Sequence, residues 1–289
     1  MDAGAVIGPA AANPSQQFKS AVPKLSERTF LMRVLLSLIL LVGTAVPALS
    51  WSRLGHETVA LIAERHLSSN AKQHVGALLA LEGKQSMADV AKWADQVRKL
   101  KYPPQPLHAV RIPDGATGYD PAHHCPGHDC AVSKINDSIA VLTDPAAAAA
   151  VKVWALKYLI HLVGDIHQPL HAYRVKGSLL AGKKKVTFHG VWDGVVPRYL
   201  KLPADKLAAL VDVTEPAPRN VGTAADWAWE SHVVARDQVI PGAAAFRFED
   251  PAVLPKDYAK RNWPIAALRL KAAGMRLAWT LNEIYRDSD

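Results

Sequence analysis

The sequence lacks the short motifs that mark several large classes of enzyme. It has no glycine-rich phosphate loop, no serine in a nucleophile elbow, no dinucleotide fingerprint and no internal repeat. These absences argue against P-loop nucleotide hydrolases, serine α/β-hydrolases and NAD-linked dehydrogenases, because each class depends on one of those motifs. Cysteine is also scarce, with 2 in 289 residues. A fold held together mainly by disulfides is therefore excluded.

Long hydrophobic runs are missing too. The apolar run at residues 34–46 is too short for a comfortable membrane span. It follows Met32-Arg33 and precedes Pro47-Ala-Leu-Ser50, which together give the charged, apolar and small-residue parts of a secretory signal. We interpret residues 32–50 as a signal peptide cut after Ser50, with a retained membrane anchor as the alternative. Residues 1–31 are then a disordered extension, or they precede the true start at Met32.

Export also bears on the two cysteines. Cys125 and Cys130 are five positions apart, and an oxidising compartment favours a disulfide between them. The alternative is a metal site with the neighbouring histidines His123, His124 and His128. We expect the chain to be secreted or periplasmic, with no membrane attachment after cleavage.

Apolar residues recur at helical spacing along most of residues 51–289, which predicts one all-α domain with long loops. The predicted helices cover residues 56–66, 70–81, 87–99, 131–142, 145–168, 204–212, 222–238 and 256–286. Residues 101–128 are predicted to form a long loop, and 183–189 a short strand. The apolar fraction of 49% is ample for a core, and the formal charge of +8 favours a polyanionic partner such as nucleic acid.

The most informative stretch runs from Tyr158 to His171. A mostly apolar helix there carries His161 and Asp165 on one face, and His171 follows the helix-breaking Pro169. Burying such groups is costly unless they are paired or bind a metal. Imidazole and carboxylate groups are typical zinc ligands, so the cluster predicts zinc, with satisfied core polar groups as the alternative.

Further histidine and aspartate residues extend this set. His189 and Asp193 repeat the four-residue spacing of His161 and Asp165. The chain offers nine potential nitrogen and oxygen ligands, which exceeds the need of one zinc ion and suits three. They are the amino group of Trp51, together with His56, Asp95, His108, His161, Asp165, His171, His189 and Asp193.

These residues stand in an order that resembles the zinc-dependent single-strand-specific nucleases of fungi, plants and bacteria, the type I nucleases, which are distantly related to the zinc phospholipases C. The matching pieces span residues 51 to about 285. They are Trp51-x4-His56, Trp93-Ala-Asp95-x2-Arg98, Leu107-His108, Cys125-x4-Cys130, His161-x3-Asp165-Ile-His-Gln-Pro-Leu-His171, His189-x2-Trp-Asp193 and Ala273-Gly-Met-Arg-Leu-Ala-Trp-Thr-Leu-Asn.

The resemblance implies three zinc ions per chain with a definite division of ligands. One zinc takes Asp95, His108, His161 and Asp165, and a second takes His171, His189 and Asp193. The third takes His56, a bridging Asp165, and the amino nitrogen and carbonyl of Trp51. An internal Trp51 has an amide nitrogen in place of an amine, so cleavage after Ser50 would complete the site.

The resemblance also implies a reaction. A zinc-activated hydroxide would attack single-stranded DNA or RNA, or a 3′-nucleotide, and leave 5′-phosphate products. Asp95 would orient the attacking water and Arg98 would hold the phosphate through its planar guanidinium. His167, inside the motif, is expected to pack or hydrogen-bond behind the ligands.

Two departures from the family concern the substrate. After the histidine at position 108 the family has an aromatic residue and, two residues later, an aspartate that together bind a base. This chain has Ala109 and Arg111, and Arg111 could reach a phosphate. The connection at residues 172–188 is short and carries Lys183, Lys184 and Lys185, which could touch a nucleic-acid backbone or form a solvated edge.

Two other functions remain open at the level of sequence. One is a zinc phospholipase C on the same helical scaffold, although Asp193 stands where that family has glutamate. The other is a zinc-binding protein without catalytic activity. The expected partner is a single-stranded nucleic acid or nucleotide, and the sequence indicates neither a protein partner nor a dimer.

Overall fold

The computed structural model describes residues 51–98, 107–214, 222–247 and 251–286, all of which belong to one compact unit, Pro47–Asp289. The predicted extension at 1–31 and the predicted signal at 32–50 lie outside the described residues. The helices, in chain order, are α1 (Arg53–Arg65), α2 (Ser69–Ala80), α3 (Met87–Val90), α4 (Trp93–Val97), α5 (Pro121–His124), α6 (Ala131–Thr143), α7 (Ala149–Ile166), α8 (Phe188–Gly190), α9 (Ala204–Asp212), α10 (Ala224–Val234), α11 (Ala244–Arg247) and α12 (Tyr258–Ile284).

Helix α7 lies at the centre of the core, and every residue from Ala155 to Ile166 is buried. Helix α6 packs along α7, while α12 packs against both α7 and α1, and α9 covers the other side of α1. The mainly helical architecture predicted from the apolar periodicity is confirmed. This packing places the polar face of α7 against α1 and α4, the helices that hold the first candidate ligands.

Side-chain caps fix where several helices begin. The Ser68 hydroxyl accepts a hydrogen bond from the N–H of Ala71 at the start of α2. Thr223 and Asp226 form a reciprocal capping box at the start of α10. Such caps satisfy the first backbone N–H groups of a helix, which have no partner within it.

The helix predicted over residues 87–99 is two helices in the structure, α3 and α4, with a turn at Ala91 and Lys92 between them. The Ala91 carbonyl accepts a hydrogen bond from Nδ1 of His161 at 2.7 Å. A side chain of the site thus takes a carbonyl that a continuous helix would bond to its own next turn.

The predicted start of the central helix is also corrected. The helix predicted over residues 145–168 begins at Ala149, and Asp144, the residue before the predicted start, follows the end of α6. The Asp144 carboxylate accepts a hydrogen bond from the N–H of Ala146 at 2.8 Å. That contact closes a local turn, a common alternative to capping for aspartate.

A hairpin interrupts the helices between α7 and α8. Strand β1 (Ser178–Ala181) pairs antiparallel with β2 (Lys184–Thr187), with Ala181 opposite Lys184. The strand predicted at 183–189 is therefore shorter, and its last residues, Phe188 and His189, begin α8. Two π-helical turns, Val191–Val195 and Ala235–Val239, follow α8 and α10, and the 3₁₀ turns are Pro126–His128, Pro169–His171 and Pro241–Ala243.

The predicted long loop before α6 ends in a small cross-linked turn. Cys125 and Cys130 form the expected disulfide. The nearby histidines have other partners, since His123 pairs with Asp120 and His128 with Asp137. Across the described ranges, no helix combines the length and apolar character needed to span a membrane.

Candidate metal centre

The site begins on α7, where His161 and Asp165 lie one helical turn apart on the same buried face. His161 donates its Nδ1 proton to the Ala91 carbonyl, so in the neutral ring the lone pair is on Nε2, which faces the other ligands. Nε2 of His161 lies 3.1 Å from Oδ2 of Asp165 and 3.0 Å from Nδ1 of His108. A backbone partner on one ring nitrogen is the usual way to orient a metal-binding histidine.

Asp95 of α4 and His108 of the following loop complete this side of the site. Nδ1 of His108 lies 3.2 Å from Oδ2 of Asp165 and 3.5 Å from Oδ1 of Asp95. The loop is fixed by two backbone contacts with the Pro169–His171 turn. The Val110 N–H donates to the His171 carbonyl, and Nδ1 of His171 donates to the His108 carbonyl.

A second cluster contains His171, His189 and Asp193. Nε2 of His171 lies 3.6 Å from Oδ1 of Asp193, and Nε2 of His189 lies 3.4 Å from Oδ2 of the same carboxylate. Gln168 donates from Nε2 to Oδ1 of Asp193 at 2.6 Å. The cluster therefore joins the exit of α7 to the π-helical turn after α8.

His56 of α1 lies on the opposite side of Asp165. Its Nε2 is 3.3 Å from Oδ1 of Asp165, and its ring stacks on that of His161 at a centroid distance of 3.9 Å. The start of the predicted mature chain reaches the second cluster as well. The Ser52 N–H donates to the Asp193 carbonyl at 2.6 Å, and the Trp51 side chain is fully buried against Gly55.

These side chains form three groups whose nitrogen and oxygen atoms lie within 4.8 Å of one another, as one metal ion requires. The groups are His56, His161 and Asp165; Asp95, His108 and His161; and His171, His189 and Asp193. Several of their buried atoms make no well-aligned hydrogen bond within the described residues, although ligand atoms of neighbouring side chains lie 3.1–3.7 Å away; they are both oxygens of Asp165, Nε2 of His171 and Oδ2 of Asp193. Buried polar atoms rarely lack partners, so these donors fit bound cations.

The electrostatics of the buried donors favour positive charge. Burial opposes ionisation of Asp165, but the charges of His161 and His171 outweigh it and hold the pKa of Asp165 well below its usual range. Burial likewise opposes protonation of His171, yet the charge of Asp165 and the contact with Asp193 raise the pKa of His171 to about 9. A metal ion would compete with that proton, because histidine ligates as the neutral imidazole.

Burial acts differently on the other two members of the second cluster. It raises the pKa of Asp193 to about 6, against the contact with His171. Burial, followed by the charge of His171, lowers the pKa of His189 to about 3. His189 therefore stays neutral over the whole physiological range and keeps a lone pair ready for a metal.

Comparison with known proteins places this geometry in a family. The model of the S1/P1 nuclease family matches residues 51–286. The chain belongs to the S1/P1 nuclease family. The match begins at Trp51, the residue expected to follow the signal peptide.

Curated relatives agree with this assignment. Nuclease P1 of Penicillium citrinum is 27% identical over 272 residues, which cover 81% of this chain and 98% of that protein. Nuclease S1 of Aspergillus oryzae is 25% identical over 270 residues, 81% of this chain and 91% of its own. Endonuclease 4 of Arabidopsis thaliana is 28% identical over 299 residues, 90% of this chain and 96% of its own.

The residues predicted to bind substrate differ in their exposure. Arg98, which follows α4, is half-buried. Arg111 is exposed, three residues after His108. Lys183, Lys184 and Lys185 are exposed at the tip and second strand of the hairpin, which leads directly into His189.

Sequence reasoning missed residues that support the ligands. Gln168 stands within the His161–His171 string, but its contact with Asp193 depends on the fold. His167, left out of the ligand set, indeed faces away from it: Nδ1 donates to the Val163 carbonyl and Nε2 accepts from Arg276. Gly164 was also missed, and a glycine between two ligands of a buried helix was the available signal.

The Gly164→Ala variant is expected to weaken metal binding. A Cβ at position 164 would lie 2.9 Å from Nδ1 of His56, too close unless the imidazole shifts. We expect the zinc affinity to fall about ten- to a hundredfold, as when an orienting contact is lost. Competition with a chromogenic chelator measures this.

Gly76→Ala is the matched control, since a Cβ at Gly76 of α2 meets nothing within 4 Å. That variant should keep full affinity and gain slightly in stability, because alanine is the better helix former. Equal zinc affinities in the two variants would show that His56 does not need its present position.

Proposed function

We propose that this member of the S1/P1 family is an exported, zinc-dependent phosphodiesterase. Its substrates are single-stranded DNA or RNA and 3′-nucleotides, and its products carry 5′-phosphates. It holds three zinc ions, divided among the ligands as the family resemblance implies. The observation that carries the proposal is the set of three donor groups. Two of them share His161, and His108 and His171 also lie within 3.7 Å of Asp165.

The donor chemistry supports zinc. The groups offer imidazole nitrogens and carboxylate oxygens, which zinc accepts in both structural and catalytic sites. Bound there, zinc supplies Lewis acidity for a phosphoryl oxygen and lowers the pKa of water to about 7. The free amine of Trp51 would complete the group that contains His56, since the next residue, Ser52, accepts a hydrogen bond at its carbonyl from the N–H of His56.

Asp95 is suited to orient a water molecule. Burial opposes ionisation of its carboxyl, but the contact with His108 and the charge of His161 lower the pKa of Asp95 to about 2. The carboxylate is thus ionised at any physiological pH and can accept a hydrogen bond from a nucleophilic water. This role is compatible with metal binding because a carboxylate has two oxygens.

Arg98 is suited to hold the scissile phosphate. Its charge is among the smaller causes that lower the pKa of His189, after burial and the charge of His171, and it acts on His108 as well. Those two histidines belong to different donor groups. A guanidinium whose charge acts on both groups is suited to charge-assisted hydrogen bonds with a phosphate bound at this centre.

Export is supported by two observations. The disulfide between Cys125 and Cys130 is typical of chains that fold in an oxidising compartment. The family match begins at the residue that the predicted signal cleavage would expose. The proposed location is extracellular or periplasmic.

The test uses protein that begins at Trp51 and a fluorescently labelled single-stranded DNA. Cleavage that a chelator abolishes and zinc restores supports the proposal, as do 5′-phosphate ends on the products. Activity on phosphatidylcholine instead would assign the site to a phospholipase C. Activity on neither substrate would leave a zinc-binding protein.

A chain that begins at Trp51 is expected to bind three zinc ions, and a chain extended by residues before Trp51 fewer. The reason is that an amide nitrogen cannot act as an amine ligand. Elemental analysis of both forms after dialysis against zinc measures the difference. Equal zinc in the two forms would rule out the amine as a ligand.

Arg98→Met is expected to lower kcat/KM on single-stranded DNA about 10²- to 10³-fold, the usual effect of removing one preorganised group that stabilises charge. The zinc content should be unchanged, because Arg98 is not a ligand. Arg65→Met is the control, since Arg65 is exposed on α1 and pairs with Asp212. A loss of zinc in the Arg98 variant would mean that the residue acts on the fold of the site.

A further inference from the structure

Helix α7 continues the polar face of the metal centre as an aromatic face. Trp154, Tyr158, His161 and Asp165 are spaced by four, three and four residues, which places them in one stripe along the helix. The C-terminal half of this stripe, His161 and Asp165, belongs to the donor groups. The N-terminal half, Trp154 and Tyr158, has no part in the proposed reaction.

A cavity of about 340 Å³ opens beside Trp154 and Tyr158, between α6 and α7. We call it the aromatic groove and define it by Lys134, Asp137, Val141, Val151, Trp154 and Tyr158. Trp154 is 43% exposed although it lies on the central helix α7, and Val151, three residues earlier, is 52% exposed. The walls are mostly apolar.

The aromatic rings are held in a fixed arrangement. Trp93 of α4 makes edge contacts with both Trp154 and Tyr158, at centroid distances of 4.9 and 5.3 Å. Nζ of Lys157 lies 4.0 Å from the centroid of Trp93 and pairs with Glu82. Trp154 is thus supported from behind, which reduces the conformational freedom that a stacking ligand would have to remove.

The groove also carries a positive charge suited to a phosphate. Nζ of Lys134 lies 4.9 Å from the centroid of Tyr158. The acidic residue in the groove, Asp137, pairs with His128, whose Nε2 lies 3.0 Å from Oδ1 of Asp137. Residues 51–289, the proposed mature chain, are basic, with a formal net charge of +6. An aromatic surface beside a lysine is the arrangement on which single-stranded nucleic acids bind, with a base on the ring and a phosphate near the ammonium.

The aromatic groove is close enough to the metal centre for one nucleic-acid strand to reach both. Trp154 precedes His161 by seven residues, or about 10 Å along the helix axis. Trp93 contacts Trp154 and stands two residues before Asp95 in α4. The groove and the donor groups are therefore neighbours on the same two helices.

We propose that the aromatic groove is a secondary subsite that stacks a nucleobase of a single-stranded substrate, on Trp154, a short distance from the bond that is cleaved. This subsite rests on the proposed nuclease function and concerns the length of strand that the enzyme grips. A 3′-mononucleotide, whose single base is attached to the nucleotide that carries the scissile phosphate, is too short to engage both places. A longer strand engages both and binds more tightly.

The test compares KM for a 3′-mononucleotide with KM for a single strand of about twelve nucleotides. Trp154→Ala should raise KM for the long strand about five- to tenfold, the lower end of the effect of one stacked base. KM for the 3′-mononucleotide, and the zinc content, should not change. Trp154→Phe, which keeps a stacking ring, should restore most of the affinity for the long strand.

Controls come from surface residues of the same kind elsewhere. Leu210→Ala removes an exposed apolar side chain from α9 and should change neither KM. Lys134→Gln should raise KM for the long strand and reduce its dependence on salt, whereas Lys206→Gln on α9 should not.

Two kinetic outcomes would overturn the subsite. If wild type and Trp154→Ala have the same KM for the long strand, no base stacks on Trp154. KM raised equally for both substrates shows that Trp154 acts on the metal centre through Trp93. If the wild type cleaves neither substrate, the proposed function fails. Fluorescence anisotropy of the labelled long strand with wild type and Trp154→Ala then decides the subsite, because equal binding refutes it and weaker binding by the variant supports it.

Discussion

The Asp165→Asn variant is expected to keep one zinc ion per chain and to lose two. Oδ1 of Asp165 faces His56 and Oδ2 faces His161 and His108, so this carboxylate can serve both of the donor groups that share His161. An asparagine has the same shape but no negative charge and one fewer oxygen. We expect kcat/KM to fall by about 10³-fold or more, since preorganised charge at the reacting phosphate is lost.

Elemental analysis and cleavage of single-stranded DNA measure both effects. Asp212→Asn is the matched control, because Asp212 lies near the surface and pairs with His66. It should retain three zinc ions and full activity. Three zinc ions in the Asp165 variant would contradict the bridging role, whatever the activity.

The Arg276→Met variant is expected to reduce the free energy of unfolding by about 3 kcal/mol. Arg276 of α12 is buried, and Nη1 donates to Nε2 of His167 at 2.9 Å while Nη2 donates to Glu230 at 2.6 Å. Methionine fills the space of the stem but leaves the buried His167 nitrogen without a partner. Urea unfolding at one fixed zinc concentration measures the loss, because bound metal adds to stability.

Arg286→Met is the control for that measurement. Arg286 follows the same helix and pairs with Glu283 at the surface, so its loss should cost less than about 1 kcal/mol. Arg269 belongs to the same buried network, since it donates to the His167 carbonyl and also contacts Glu230. A loss in Arg276→Met no larger than that of the surface variant would mean that this buried network contributes little.

The central helix and its polar face could be predicted from the sequence. Spacing alone puts His161 and Asp165 on one face, and the apolar run before them predicts burial. The joining of His56, Asp95 and His108 to that face could not be derived in this way. Those residues are 50 to 110 positions earlier in the chain, and the packing of α1 and α4 on α7 brings them together. For them the order of motifs shared with a family was the useful signal.

The errors in the predicted helices have a common physical origin. The break between α3 and α4 occurs where the Ala91 carbonyl bonds to His161, a long-range contact with no local trace. The late start of α7 reflects a competing local bond of the Asp144 carboxylate. Periodicity describes which face is buried, but it does not show which backbone groups are taken by side chains.

The hydrogen bond from the Ser52 N–H to the Asp193 carbonyl holds the start of the predicted mature chain at the metal centre. If cleavage after Ser50 frees the amine that completes the site, as proposed, then export and activation are one event. The newly made chain would carry an incomplete catalyst past the nucleic acids of the cell that produces it. Protection of the host would need no inhibitor, because the peptide bond before Trp51 serves as the safeguard.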